Sequence, residues 1–196
     1  MGFQKTINLD PAIGMPGAEV NPGQAVYTAF NFVSDGTVRA GTFAFAKTLD
    51  SNGYPITKMN QASATSDSGA KVLGFVERNL IGNLISPLVE ASDVYSAGLG
   101  LPIAIRGQFY ANASGTAQAG QSVLCDPTTG NVTYGAAGAA NDTGWVVKFP
   151  RGVSEVAEGD LVIYENFGVS VAAASVVSSA DETVGKARVG TSKVAA

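Results

Sequence analysis

Between Gln24 and Phe167 short apolar runs alternate with clusters of Gly, Asn, Asp, Ser and Thr, and the runs carry the period-two pattern of strands. QAVYTAFNF reads as a strand, Ser34-Asp35-Gly36 as a hairpin signal after it, and TVRAGTFAFAK as the next strand. That strand sets Phe43 and Phe45 on a core-facing side and Ala44 and Ala46 on the other. A second turn signal lies at Asn52-Gly53, and QASATSDSG reads as a small polar loop. AKVLGFVER opposes Val72 and Val76 to Leu73 and Phe75. IAIRGQFYA sets Ile103, Ile105, Gly107 and Phe109 against Ala104, Arg106, Gln108 and Tyr110. GWVVKFP, DLVIYENFG and GVSVAAASVV add three more candidate strands. Turn signals recur about every ten residues, the spacing of a sandwich or barrel. The expectation is an all-β domain, a single β-sandwich or small β-barrel with a jelly roll among the fitting topologies. No helical pattern alternates with the strands, which disfavours a parallel α/β sheet.

The flanks follow neither period. Residues 1–24 hold Pro11, Pro16 and Pro22 among four glycines, and Phe3, Ile7, Leu9, Ile13 and Met15 recur at no fixed spacing. This predicts an extended N-terminal arm, either a disordered terminus or a strap whose apolar side chains fill grooves on a neighbouring subunit. The β-domain then spans 25–167, and 168–196 is a C-terminal strand and tail, with weak alternation at Val184, Lys186 and Arg188. Within the body, NLIGNLISPLVE places Leu80, Ile81, Leu84 and Ile85 at helical spacing, but Gly82 and Pro87 break a helix. It reads as a flap over the chain's own core or as a second contact surface.

Composition narrows the function. Twelve basic and sixteen acidic residues in 196 give a net charge of −4, and the basic ones are scattered, which argues against nucleic acid as a partner. A single cysteine forms no internal disulfide. The N-terminus MGFQKTINLDPAIGMPG has no apolar run suited to a signal peptide and nothing approaches a membrane span, so synthesis in a cytoplasm and no membrane partner are expected. The absence of histidine removes the usual general base, the commonest metal ligand and every imidazole triad.

Candidate chemistry is correspondingly thin. In AGQSVLCDPTTGNVTY, Asp126-Pro127-Thr128-Thr129-Gly130 has the residues of a hairpin turn, and Val123 and Cys125 share a strand face. With no base or adjacent cation to make thiolate, Cys125 reads as a small buried hydrophobe. Glu155, Glu158 and Asp160 lack the alternating spacing of a calcium loop and read as a solvated turn. A glycosidase pair among the carboxylates has no positive signal. Asn112, Asn131 and Asn141 match the glycosylation pattern only as polar turn residues. Trp145, Phe149 and Tyr134 suit a sugar platform or, more simply, a core. No cofactor, metal or catalytic constellation is expected, and the reading is of a non-enzyme.

QAVYTAFNFVSDGTVRAGTFAFA, LPIAIRGQFYA with AGQSVLCDPTTGNVTY, and TGWVVKFPRGVSEVAEGDLVIYENF together resemble the capsid decoration or structural cement proteins of tailed bacteriophages, over roughly residues 24–167. The resemblance implies a virion protein, made in the host bacterial cytoplasm, that sits on the capsid exterior and bridges neighbouring major capsid proteins as a dimer or trimer, using terminal arms. Phe3, Ile7, Leu9, Ile13 and Met15 would then be arm contacts, with Leu80, Ile81, Leu84 and Ile85 a second candidate. The alternative is a carbohydrate- or host-surface-binding β-module displayed on the virion.

Overall fold

The structure, a computed structural model, describes residues 14–47, 61–67, 69–79, 93–150 and 153–168. Among them there is no helix. Ten strands run in chain order: β1 (Val26–Tyr27), β2 (Val33–Ser34), β3 (Phe43–Ala46), β4 (Gln61–Ser63), β5 (Val72–Val76), β6 (Ile103–Asn112), β7 (Ser122–Cys125), β8 (Val132–Gly135), β9 (Asp142–Lys148) and β10 (Leu161–Asn166). Their order is β2-β4-β3-β5-β6-β10-β9-β7-β8, with β1 also paired to β6. The sheet does not close into a barrel. It is all-β and sandwich-like, as the strand rhythm predicts.

The long strand β6 belongs to both halves. Its start pairs with β5, Val76 opposite Ile103 and Phe75 opposite Ala104. From Gly107 to Asn112 its partner is β10, in unbroken antiparallel register. Gly107 sits at the changeover with φ +136, and a Cβ there would lie 2.9 Å from the Phe109 ring. Only glycine suits both the backbone angle and the close approach. The consequence is a change of faces. Ala104, Phe109 and Ala111 all enter one core, Ile103 enters another, and Ile105 is exposed. Strict alternation across IAIRGQFYA therefore fails at the glycine.

A second flip occurs in β5. Phe45 pairs with Val72 and Ala44 with Gly74, leaving Leu73 as the extra residue of a β-bulge. Val72 and Phe75 consequently face the same core, and Leu73 and Val76 the opposite one, which corrects the pairing read from the sequence. A Cβ on Gly74 would stand 2.4 Å from the Ala104 carbonyl oxygen.

These two flips divide the apolar side chains between two cores. The larger lies between the half-sheets and is aromatic. The Phe75 ring centre is 5.4 Å from Phe43, 5.3 Å from Phe109, 5.7 Å from Trp145 and 5.9 Å from Tyr164. Tilted and edge-on pairs of this kind each add roughly 0.5–1.5 kcal/mol beyond burial. The smaller core covers the far side of β3 and β5, where Val38, Ala44, Val76, Tyr95 and Ile103 are buried. Ala44 and Ala46 are as buried as Phe43 and Phe45, so β3 has no solvent face. Small side chains there let a coil layer approach: Ser34 N–H donates to Leu99 O at 2.8 Å, Leu101 N–H to Phe32 O at 2.9 Å and Tyr95 N–H to Val38 O at 2.9 Å.

Two further expectations change. Ser34-Asp35-Gly36 does form a turn, with Gly36 N–H on Ser34 Oγ and Thr37 N–H on Asp35 Oδ1, both at 2.9 Å. It is no hairpin, because β2 pairs in parallel with β4, and β4 lies between β2 and β3. Gln61–Ser63, read as polar loop, is that buried strand, with Ala62 and Ser63 enclosed. Alanine and serine suit a narrow slot and carry no strand signature. The Asn52-Gly53 turn and the strand predicted after Phe167 lie outside the described residues.

Gly74→Ala is expected to destabilise the fold by about 2 kcal/mol or more, because the new methyl meets backbone that cannot yield. Gly100→Ala, at a site with open space and ordinary φ, is expected to stay within about 0.5 kcal/mol. Urea unfolding of both measures the difference, and equal midpoints would refute the bulge's role.

Candidate functional site

The chain's most reactive groups are enclosed. Cys125 ends β7 with its thiol buried and its Sγ 3.6 Å from Gly130 O. Burial and then the charge of Asp126 push the thiol up to about 12, so it carries no thiolate near neutral pH. The following turn is a hairpin: Gly130 N–H donates to Asp126 O at 2.7 Å, Thr128 N–H to Asp126 Oδ1 at 2.8 Å, and β7 pairs with β8. Trp145 is 1% exposed within the aromatic core. Burial, chiefly, raises the pKa of Tyr164, and Tyr134, whose hydroxyl shares a 2.8 Å hydrogen bond with it, adds to the shift. Glu155, Glu158 and Asp160 are exposed in the loop before β10, where Asp160 Oδ2 accepts from Ala157 N–H. Among the described residues no three His, Cys, Asp or Glu side chains gather as metal ligands.

What the surface does offer is apolar. Val26, Tyr27, Phe30, Ile105 and Phe167 are large hydrophobic residues left exposed, Phe30 at 66%. All five sit around one short stretch of β6. Val26 pairs with Arg106 and Tyr27 with Ala104. Thr28 N–H donates to Ile103 O at 2.9 Å, and Phe30 lines a groove with Tyr27, Leu101 and Pro102. Phe167 follows Asn166, whose side chain donates to Ile105 O at 3.1 Å. The flip at Gly107 is what turns Ile105 outward. Singly exposed apolar residues are ordinary, but a group sharing one strand segment is a candidate contact surface.

The rim has a charged edge. The Tyr27 hydroxyl lies 2.9 Å from Glu19 Oε1 and 2.7 Å from Glu77 Oε2, and its one proton serves one of them at a time. Glu19 Oε2 also accepts from Gly23 N–H at 2.7 Å. Among the described residues neither carboxylate is in an ion pair. Burial, chiefly, and the charge of Glu19 hold the Glu77 carboxyl above its ordinary range, against the lowering effect of the Tyr27 hydrogen bond.

The chain reaches this rim along β6. Gly17 N–H donates to Tyr110 O at 2.7 Å, Tyr110 N–H to Ala18 O at 2.9 Å, and Val20 N–H to Gln108 O at 2.9 Å. Arg78 adds its N–H to Gly17 O at 2.8 Å and its Nε to Pro16 O at 2.8 Å. Because Phe109 pairs with both Glu19 and Tyr164, this stretch occupies the edge of β6 opposite β10. Of the arm residues singled out by sequence, Met15 is 54% exposed at the head of this stretch. Phe3, Ile7, Leu9 and Ile13 lie outside the described residues, as do Leu80, Ile81, Leu84 and Ile85. The exposed rim itself was missed, because alternation assigns Phe30 and Phe32 the same environment whereas Phe32 is 3% exposed. The one available signal was Gly107, a glycine inside a strand pattern.

A family model described as "Structural cement protein (E217 gp24/Pam3 gp6)" matches residues 3–166. No curated protein matches the chain.

Two outcomes follow. Cys125 is expected to resist iodoacetamide at pH 8 in the folded protein and to react only after denaturation; rapid native labelling would contradict its burial. A carboxyl with a raised folded pKa takes up protons more readily folded than unfolded. Attachment of residues 17–28 should therefore gain stability as pH falls through the folded pKa of Glu77 and lose it as pH rises through that pKa. Hydrogen-exchange protection of the Gly17 and Val20 amides reads this, and Glu77→Gln should flatten the dependence; an unchanged slope would refute it.

Proposed function

The chain belongs to the phage structural cement protein family, and on that premise we propose that it binds the outer surface of an assembled capsid and bridges neighbouring major capsid proteins. The observation that carries the reading is the apolar rim of Val26, Tyr27, Phe30, Ile105 and Phe167 on a body whose thiol and tryptophan are enclosed. Exposed aromatics next to aliphatics are the side chains that dominate protein–protein contacts once desolvated. The role is structural and needs no catalytic chemistry.

Within this reading, Phe3, Ile7, Leu9 and Ile13, which precede a stretch fastened to β6, are contacts to an adjacent capsid subunit, with Met15 at the junction. Leu80, Ile81, Leu84 and Ile85 form a second contact, and two or three copies assemble at each site. The carbohydrate-binding alternative loses its leading platform, since Trp145 is in the core.

Co-sedimentation with undecorated capsids tests the proposal. Val26→Asp combined with Phe30→Asp should weaken capsid binding by about tenfold or more, the scale of a lost interface hot spot, while the thermal midpoint stays near that of the parent. Deleting residues 2–13 should weaken it separately. Undiminished binding by the aspartate variant would remove the rim from the interface.

A further inference from the structure

The rim around β6 carries charge of both signs as well as apolar surface. Arg106 is exposed and takes part in no ion pair among the described residues. Glu19 and Glu77 share the single phenolic proton of Tyr27 and have no cation there either. Because Val26 pairs with Arg106 and Tyr27 with Ala104, the strand positions that root the two charges lie two residues apart on β6, about 7 Å. Val26, Tyr27, Phe30, Ile105 and Phe167, around them, are between 40% and 66% exposed. We propose that in the free protein this rim pairs with the same rim of a second copy, the Arg106 of each copy meeting the Glu19 and Glu77 carboxylates of the other across a two-fold axis.

Two observations select a second copy as the occupant. The first is self-complementarity: an unmet positive charge and an unmet negative pair stand on one apolar patch, so a two-fold rotation sets each against its opposite while the hydrophobic residues meet. A surface of a single sign would leave one of the two charges without a partner. The second is donor chemistry. The Tyr27 hydroxyl has one proton for two carboxylates, and a guanidinium supplies the planar pair of donors that the other carboxylate lacks. Elsewhere Lys47, Arg78 and Lys148 each find a carboxylate within their own chain, Arg78 on Asp93 at 2.7 Å. Arg106 does not.

Area sets the strength of the pair. An exposed apolar patch of a few hundred Å² is large for a lone protein, yet it falls short of the roughly 800 Å² per partner that a stable complex buries. The dimer is therefore reversible, with a dissociation constant in the micromolar range or above, on the order of 10⁻⁶ to 10⁻⁴ M. Self-pairing would keep the most exposed aromatic, Phe30, out of water until a tighter partner arrives. That the capsid then takes the rim over from the second copy rests on the cement reading above.

Sedimentation velocity of the full-length protein from about 1 to 500 µM, the range in which so small an interface fills, tests this. Expected is a monomer–dimer equilibrium that weakens in 0.5 M NaCl. Arg106→Glu and Glu77→Lys each bring like charges together and should weaken dimerisation by about tenfold or more. An equimolar mixture of the two should restore it, because each reversed charge then faces its opposite. Thermal midpoints near the parent's show that the variants fold, and Glu19→Lys takes the place of Glu77→Lys if that midpoint falls. A chain that stays monomeric over the whole range, a trimer, a dimer that both reversals leave intact, or a mixture no more associated than its components overturns the proposal. Capsids are absent from this measurement, so failed co-sedimentation with them would count against the cement reading alone.

Discussion

A single strand cannot serve two half-sheets and keep its side chains in strict alternation. β6 meets β5 at Ile103 and Ala104 and β10 from Gly107 onward. The larger core lies between the half-sheets, so the strand must present Ala104 to it on one side of the changeover and Phe109 on the other. The residues have opposite parity. A backbone inversion at Gly107 resolves the conflict, and the bulge at Leu73-Gly74 does the same in the adjoining strand. The aromatic cluster around Phe75, the second core around Tyr95 and the outward Ile105 all descend from these inversions.

The same constraint explains what was readable in the sequence. Strand identity was legible at β3, β5, β6, β9 and β10, which lie where FAFA, VLGFV, IAIRGQFYAN, DTGWVVK and LVIYEN announce them, but not in QAVYTAFNF, which is a strand only at Val26–Tyr27. The DPTTG hairpin was legible too, because its turn chemistry is local. Faces were not, since the two inversions are invisible to a fixed period and only their glycines hint at them. β4 was lost because QAS is defined by the slot it fills and not by its own propensity. The candidate surface fared similarly. Cys125 and Trp145 could be assigned to the interior from residue type, but the exposure of Phe30 beside a buried Phe32 depends on where the coil layer ends.

Enclosure and exposure are complementary outcomes of one layout. The aromatic core draws in Trp145, Tyr164 and the phenylalanines of β3, β5 and β6, and leaves a body with an inert thiol. What remains at the surface near the β6 bend is an apolar group edged by Glu19 and Glu77. A structural cement protein has use for such a surface and none for a nucleophile. On the proposed contact, the carboxylates would make that surface selective, because a partner must bring positive charge or a proton to satisfy both.

The fastening at Gly17 also has a mechanical meaning. Its N–H is held by Tyr110 O and its C=O by Arg78 N–H, with Pro16 O gripped by the Arg78 side chain. Pulled from the Gly14 side, the chain meets this clamp first, held by β6 and by the residue two places past β5, and only afterwards the two-residue pairing of Val26 and Tyr27. On the proposed contact of the preceding residues with a capsid subunit, load on them would reach the β6 edge before it reached the rim.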